Sequence, residues 1–460
     1  PKFKGKTYSL LKINDLLKDI DKIALTKQYE FINASINEKI IDDKIDFEIN
    51  VSESEKFYIE KININGNFNT LEEVIRNNLI VDEGDPFNEI LFNKSINNIQ
   101  SLGIFKKVVS DVQKGSQDSF KIIDLAVEER PTGEISVSAG FGTNGETIGA
   151  GLKENNFLGK GINLNTNFEI TPDSIKGKFI YAKPNFNYSD NTLFTSVKSS
   201  TSDFLNNSGY KTSELGFSLG TKFEQFQNIY LSPEIDFLIE DLETSSKASN
   251  LIKKQEGSYT DLYFNYSINQ DLRDKKFRTE EGFVTTFSQE LPIISDNSEL
   301  SNSFDITTFK KLSTRSDIVG KLSFFGKTIT GLSDDVRISK RLYIPPSRLR
   351  GFAKAKVGPL DNNDYIGGNH LTSLNMSATL PNIFEGLDNL DVGVFFDAAN
   401  IWGIDYDSSL DDKSTIRSSA GIGLNLLTPI GPLSFSFANA ISKASSDKTE
   451  TFRFNLGTQF

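Results

Sequence analysis

The side chains best equipped for chemistry are few. Cysteine is absent and His370 is the one histidine, which removes thiolate chemistry, disulfides, Cys-based metal sites and most acid–base constellations. Carboxylates are plentiful but scattered, with no acid and base at a recognisable spacing. Gly140-Phe-Gly142-Thr-Asn-Gly145 matches the G-x-G-x-x-G pattern of dinucleotide sites. Its glycines end one strand and precede another, however, where a hairpin turn accounts for them. Asp361-Asn362-Asn363-Asp364 lacks the spacing of a calcium loop and reads as a solvated turn. The expectation is a protein that is not an enzyme and that holds no metal and no cofactor.

Recognition chemistry is better represented. Arg348-Leu349-Arg350-Gly351-Phe352 sits in a long segment without period-2 alternation, followed by Gly358-Pro359 and Gly367-Gly368-Asn369. Arg350 can make planar, bidentate hydrogen bonds to a buried carboxylate. Gly351 permits close backbone approach, and Phe352 supplies apolar area. That combination suits a loop packed inside something.

What surrounds the loop follows from composition. The 460 residues carry a formal net charge of −12, which argues against nucleic acid as a partner. No run of 18 apolar residues offers a membrane-spanning helix. Pro1-Lys2-Phe3-Lys4 lacks the apolar core of a signal peptide, so a mature or trimmed chain is expected. A transmembrane β-barrel remains open, because alternating strands are invisible to hydropathy. Phe 37 and Tyr 13 supply material for aromatic girdles.

Along the chain, Ile13, Leu16, Leu17, Ile20, Ile23 and Ala24 mark an amphipathic helix, followed by alternating segments around Tyr29–Ile36 and Lys44–Val51. Phe57–Asn65 reads as a strand. Thr70 with Glu73 makes a capping box for a helix through Leu79, and a second helix runs from about Asn88 to Gly103. Strands Phe105–Val112 and Phe120–Glu128 complete a β-α-α-β-β unit. Residues 1–53 thus form a partial copy of a small α+β domain, residues 54–130 a complete copy, and residues 131–460 a region of strands and turns only. In that last region Ile135, Val137, Ala139 and Phe141 alternate with Ser136, Ser138, Gly140 and Gly142, while Phe452, Phe454 and Leu456 alternate with Arg453, Asn455 and Gly457. About sixteen such strands recur, an even number, and the chain ends on Phe460. The expected fold is mainly β: a 16-stranded antiparallel transmembrane β-barrel preceded by α+β domains.

Several motifs now coincide with a known family. The unit ending in Gly103-Ile104-Phe105-Lys106-Lys107-Val108 resembles a POTRA domain. Leu349-Arg350-Gly351-Phe352 resembles the R-G-F/Y motif of a loop 6, Phe396-Asp397-Ala398-Ala399-Asn400-Ile401-Trp402 the F-D-x-G-N-x-W strand, and Phe452–Phe460 the terminal-aromatic signature of outer-membrane barrels. Together they resemble the superfamily that joins POTRA domains to a sixteen-stranded barrel, in its outer-membrane assembly branch. The resemblance implies an insertase of the bacterial outer membrane with its POTRA domains in the periplasm. Its partners would be unfolded β-barrel clients, accessory lipoproteins of the assembly machine and outer-membrane lipid, with periplasmic chaperones as further candidates. It implies a lock between Arg350, Gly351, Phe352 and Asp397. It also implies a weakly paired seam, or lateral gate, between Glu134–Gly142 and Glu450–Phe460, including Ser136, Ser138, Gly140, Arg453, Asn455, Gly457 and Phe460. Ser136 or Ser138 is expected to come within disulfide reach of Arg453 or Asn455. Family members often add a second carboxylate on the strand after loop 6, whereas Leu371–Leu380 has none. Arg350 would then rest on Asp397 alone or on hydrogen bonds. The strand carrying Phe105, Lys106, Lys107, Val108 and Val109 is expected at a sheet edge, available to a client strand. The alternatives are two-partner-secretion or TamA-like translocation of polypeptides, or a passive porin.

Overall fold

A computed structural model describes residues 32–41, 44–53, 57–143, 145–276, 279–313, 318–381, 390–411, 414–428 and 431–456. The chain divides into two compact units, one taking residues up to Gly133 with Asn155–Ile162, the other taking Glu134–Glu154 and Asn163 onward.

In the first unit, β1 (Ile32–Ile41) and β2 (Lys44–Glu53) form an antiparallel pair with Ile41 opposite Lys44. The helix expected from Ile13 to Ala24 lies outside the described residues. A separate sheet holds β3 (Tyr58–Asn65), β4 (Phe105–Lys114) and β5 (Phe120–Glu129) in the order β3-β5-β4. Central β5 runs parallel to β3 and antiparallel to β4. Its Ile123, Leu125 and Val127 are buried while Ala126 and Glu128 face outward, the period-2 pattern of a half-covered sheet. The cover is α1 (Glu72–Arg76) and α2 (Glu89–Ser101), whose Ile75, Phe92 and Ile99 join Ile59, Ile62, Ile104 and Phe105 in the core. The side-chain oxygen of Asn88 accepts the N–H of Leu91 at 3.1 Å, a cap for α2.

The expected Thr70–Glu73 capping box does not form, and α1 stops at Arg76 rather than Leu79. Leu71 is the N-cap residue and makes no side-chain cap bond. The Thr70 hydroxyl is taken by Asn156 at 2.9 Å, and its backbone N–H by the Glu129 carboxylate at 2.6 Å. Long-range partners outcompete the local cap.

The second unit is a closed barrel of sixteen antiparallel strands. In chain order these are β6 (Gly133–Gly142), β7 (Gly145–Phe157), β8 (Ile162–Thr171), β9 (Ser174–Lys183), β10 (Thr192–Phe204), β11 (Tyr210–Phe226), β12 (Ile229–Thr244), β13 (Gly257–Asp271), β14 (Gly282–Ser295), β15 (Glu299–Lys311) and β16 (Val319–Gly331). After the small pair β17 (Leu360–Asp361) and β18 (Asp364–Tyr365), the barrel continues through β19 (His370–Pro381), β20 (Leu390–Trp402), β21 (Arg417–Thr428), β22 (Gly431–Ser442) and β23 (Phe452–Leu456). β23 then closes on β6. Apolar residues point out and polar ones in: Ile135, Val137, Phe141, Val394, Ile422 and Phe437 are exposed, whereas Ser218, Glu240, Asp261, Ser323 and Asp397 are buried. This inverted pattern is stable only where lipid replaces water outside, and a closed ladder is what satisfies every strand's main chain there. Among the described residues no helix is long and apolar enough to cross a membrane.

The loop from Leu332 to Asn369 fills the lumen. Its Val336, Leu342, Ile344, Leu349, Phe352 and Val357 pack with Leu371 of β19 and with Ala399 and Ile401 of β20. Gly351 has φ +89°, and a Cβ there would lie 3.1 Å from the Ala438 side chain of β22, a fit that favours glycine on two counts. The Asp361–Asp364 turn departs from its solvated expectation. Asn362 and Asn363, with φ 48° and 70°, make the exposed tip of a two-residue hairpin. Asp361 is buried and accepts hydroxyl hydrogen bonds from Ser249 at 2.5 Å and Tyr406 at 2.8 Å. A short helix, α3 (Asn250–Lys253), packs Ile252 in a second cluster with Ile338 and Ile366 of the loop and Tyr210 and Leu242 of the wall.

Candidate functional site

β20 fixes Asp397 on its inward face with no exposed surface, opposite Asn375 of β19 and Ser419 of β21. The lumenal loop delivers Arg350 to it. The guanidinium donates from Nε to Oδ2 and from Nη2 to Oδ1, each at 2.7 Å, and the Arg350 backbone N–H reaches Oδ2 at 3.1 Å. Asn375 donates to Oδ1 at 2.8 Å and to the carbonyl of Arg348 at 2.8 Å. The strand after the loop, which lacks a carboxylate, therefore contributes an amide that bridges loop and Asp397. Arg350 also lies 3.4 Å over the Phe395 ring, and Ser419 donates its hydroxyl to the Arg350 carbonyl. Gly351 and Phe352 are buried alongside. Every lone pair that the buried carboxylate offers in this direction is met, the condition under which such a pair holds.

Further arginines tie the lumen together, and their carboxylate partners were not read from the sequence. Arg337 is fully buried among Glu240, Asp261 and Glu299, with N–O separations of 3.3, 2.5 and 3.4 Å, and lies 4.5 Å from the Tyr259 ring. Arg341 pairs with Asp405, and Arg348 with Asp305 and, at 3.0 Å, the Ser323 hydroxyl. Arg417 of β21 meets Asp447 at 2.9 and 3.2 Å. A signal was present: Arg337, Arg341, Arg348 and Arg350 crowd one unalternating segment, while Glu240, Asp261 and Asp305 interrupt otherwise barrel-like strands. His370 starts β19, its Nδ1 2.7 Å from the Thr328 hydroxyl, and plays no part in this site.

At the closure of the barrel the described ladder is short. Neighbouring strands elsewhere pair over most of their length, as β12 does with β13 from Ile229 opposite Gln270 to Leu242 opposite Gly257. Between β23 and β6, among the described residues, only Asn455 opposite Gly142 and Leu456 opposite Phe141 are paired. One more hydrogen bond runs from Thr143 N–H to the Phe454 carbonyl at 3.2 Å. Outside, Phe141 meets Phe454 across the junction with ring centroids 5.8 Å apart, and Phe452 packs on Phe437 at 4.9 Å. Inside, Gly140 and Gly142 border a cavity of about 450 Å³ that Arg350, Arg453 and Asn455 also line.

The register corrects one expectation. Ser136 and Ser138 do share the half-buried inward face with Gly140, but Asn455 stands opposite Gly142, four and six residues further along β6. At about 3.4 Å per residue this puts either serine more than 10 Å from Asn455, beyond disulfide reach, and Arg453 is further still. Among the described residues the pairs in reach are Gly142 with Asn455 and Phe141 with Leu456. Gly457 and Phe460 lie outside the described residues.

In the first unit β4 occupies a sheet edge. Phe105 is buried, Val108 half-buried, and Val109 and Val112 are exposed, at 45% and 37%. Lys106 reaches Glu128 at 2.7 Å and Lys107 is exposed. The Lys106 ammonium holds Glu128 below the usual carboxylate range. Glu129 is pushed up by partial burial, but hydrogen bonds from Thr70 and Asn69 outweigh this and its pKa is lowered.

Residues 156–460 match the Omp85 superfamily domain, and residues 57–130 match POTRA, the surface antigen variable number repeat. The chain is similar to the outer membrane protein assembly factor BamA of Neorickettsia risticii, 25% identical over 91% of this chain and 57% of the relative. It is also similar to BamA of Neisseria meningitidis, 23% identical over 99% of this chain and 63% of the relative. It thus spans roughly three fifths of the curated relatives' length. The crystal structure of BamA from Haemophilus ducreyi lacking POTRA domains 1–3 shares the fold, with TM-score 0.76 at 22% identity over 99% of this chain and 95% of that one.

Proposed function

The chain belongs to the Omp85 superfamily, and on that premise we propose that it folds and inserts β-barrel proteins into the bacterial outer membrane, with its POTRA domain in the periplasm. The observation that carries this is the closure of β23 on β6, where the described residues contribute two residue pairs and β23 is also tied inward to the lumenal loop. An arriving strand brings N–H and C=O groups that are very costly to place in lipid unpaired. A wall that can part where its last strand meets its first offers an edge on which those groups pair before they meet the bilayer. No covalent bond need be made or broken. The Arg350–Asp397 lock holds the lumenal loop against β20 and so keeps the barrel closed between clients.

The clients are unfolded outer-membrane barrels, and accessory lipoproteins are the expected companions. β4 of the POTRA domain serves as a capture edge for client strands. Photo-crosslinkers at Val109 and Val112 should trap client chains during assembly; an absence of adducts at both would remove that role. The function itself is tested by depletion. An insertase lowers many outer-membrane barrel proteins together, whereas an exporter loses a single secreted client and a porin alters permeability alone.

A further inference from the structure

Among the described residues, the last strand and the segment before it are fastened to the lumenal loop as well as to the barrel wall. Arg453 of β23 points inward with 7% exposure. Its guanidinium donates to the main-chain carbonyls of Pro346 at 2.9 Å and Phe352 at 2.7 Å, on either side of Arg350, and its Nε meets Glu450 at 3.1 Å. Around it the backbone of residues 448–450 runs against the loop. Lys448 N–H donates to the Lys356 carbonyl, Ala353 N–H to the Lys448 carbonyl, and Glu450 N–H to the Gly351 carbonyl, each at 3.0 Å; Phe352 bridges Thr449. Among the described residues these outnumber the two residue pairs that β23 makes with β6.

We infer that Arg453 is a positioning residue that makes β23 and the lumenal loop one mechanical body, so that the Arg350–Asp397 lock governs the seam through Arg453. Only a planar fork with several donors spans two carbonyls and a carboxylate at once. Both carbonyls belong to the turns that flank Arg350, so a loop released from Asp397 loses the geometry Arg453 needs. The inference deepens the insertase reading but concerns the seam alone, and it is tested without a client.

The reporter is the disulfide Phe141→Cys/Leu456→Cys, directly opposite in register, in a chain that has no cysteine of its own. The purified barrel in lipid nanodiscs is oxidised and the crosslinking rate followed. Arg453→Ala should slow crosslinking several-fold, as the last strand spends more time away from β6. Arg350→Ala should slow it similarly, and the double variant no more than the stronger single, the signature of two groups acting in series. Arg453→Lys keeps the charge for Glu450 but cannot reach both carbonyls, so it should be slow while still migrating as a folded barrel. This second variant decides the matter if Arg453→Ala does not fold. A parent-like rate in the Arg453 variants, or slowing factors that multiply in the double variant, would overturn the inference. Because no client is present, a failure here leaves the insertase reading standing, and failure of that reading leaves this one standing.

Discussion

The wall from β11 to β13 and the seam between β23 and β6 are built from the same alternating sequence, yet their described residues are held by different sets of contacts. β11 pairs with β12 from Tyr210 opposite Thr244 to Phe226 opposite Ile229, and β12 pairs almost as fully with β13. Their main chains close the barrel unaided, and Arg337 adds a buried charge cluster behind them. The seam has two described residue pairs, and its last strand leans on the lumenal loop through Arg453 and residues 448–450. In the wall the described contacts are a long main-chain ladder, whereas at the seam they include the Arg453 side chain and the backbone of residues 448–450 gripping the loop. A ladder opens only by losing many hydrogen bonds together, whereas a side-chain clasp can be released at one point.

The largest expected effect is on the wall side. Arg337→Ala leaves Asp261 and Glu299 buried without their cation and Glu240 with Lys340 alone at 3.5 Å, which should cost on the order of 3–5 kcal/mol. It should lower the temperature at which the barrel loses heat-modifiable migration while leaving seam crosslinking at the parent rate. Faster or slower crosslinking would show that the two regions are not separate. Arg350→Ala comes next. Because Arg350 is a quarter exposed, about 3 kcal/mol is the expected cost, and it should appear as a looser seam and protease cleavage near Arg348. Unchanged migration and unchanged cleavage together would discard the lock.

The sequence made the sixteen strands legible because period-2 alternation is local and survives any arrangement of neighbours. Asp397 was legible for the same reason, since its parity with Asp391, Gly393 and Phe395 fixes the face it occupies. What depended on long-range pairing was not. Thr70 matched a capping box in its own segment, but Glu129 and Asn156 claim its polar groups from 59 and 86 residues away. Asp361 looked solvated because nothing nearby announces Ser249 and Tyr406. The seam register, which moved the reachable pair from Ser136 and Ser138 to Phe141, is set by which residues meet across the closure.

The smallest expected effect belongs to the POTRA domain. Glu129 has its folded pKa lowered below the usual 4.5 by hydrogen bonds from Asn69 and Thr70 that outweigh partial burial. Its contribution is therefore present above the ordinary glutamate range and is lost as pH falls through the lowered folded value. Glu129→Gln should cost about 1 kcal/mol at neutral pH and flatten the acid limb of the domain's stability. An acid limb identical to the parent's would remove Glu129 from the account.

The claim that the seam must part is tested most directly by stapling it. With Phe141→Cys and Leu456→Cys, residues opposite one another across the closure, a hydrogen-bonded antiparallel pair separates Cα atoms by about 5.5 Å, within the span of a disulfide. The fully oxidised protein, reconstituted in liposomes with an unfolded barrel client, should insert none, and a reductant should restore the parent rate. Insertion at the parent rate by a completely crosslinked population would contradict the account, since a wall that never opens could not have offered its edge.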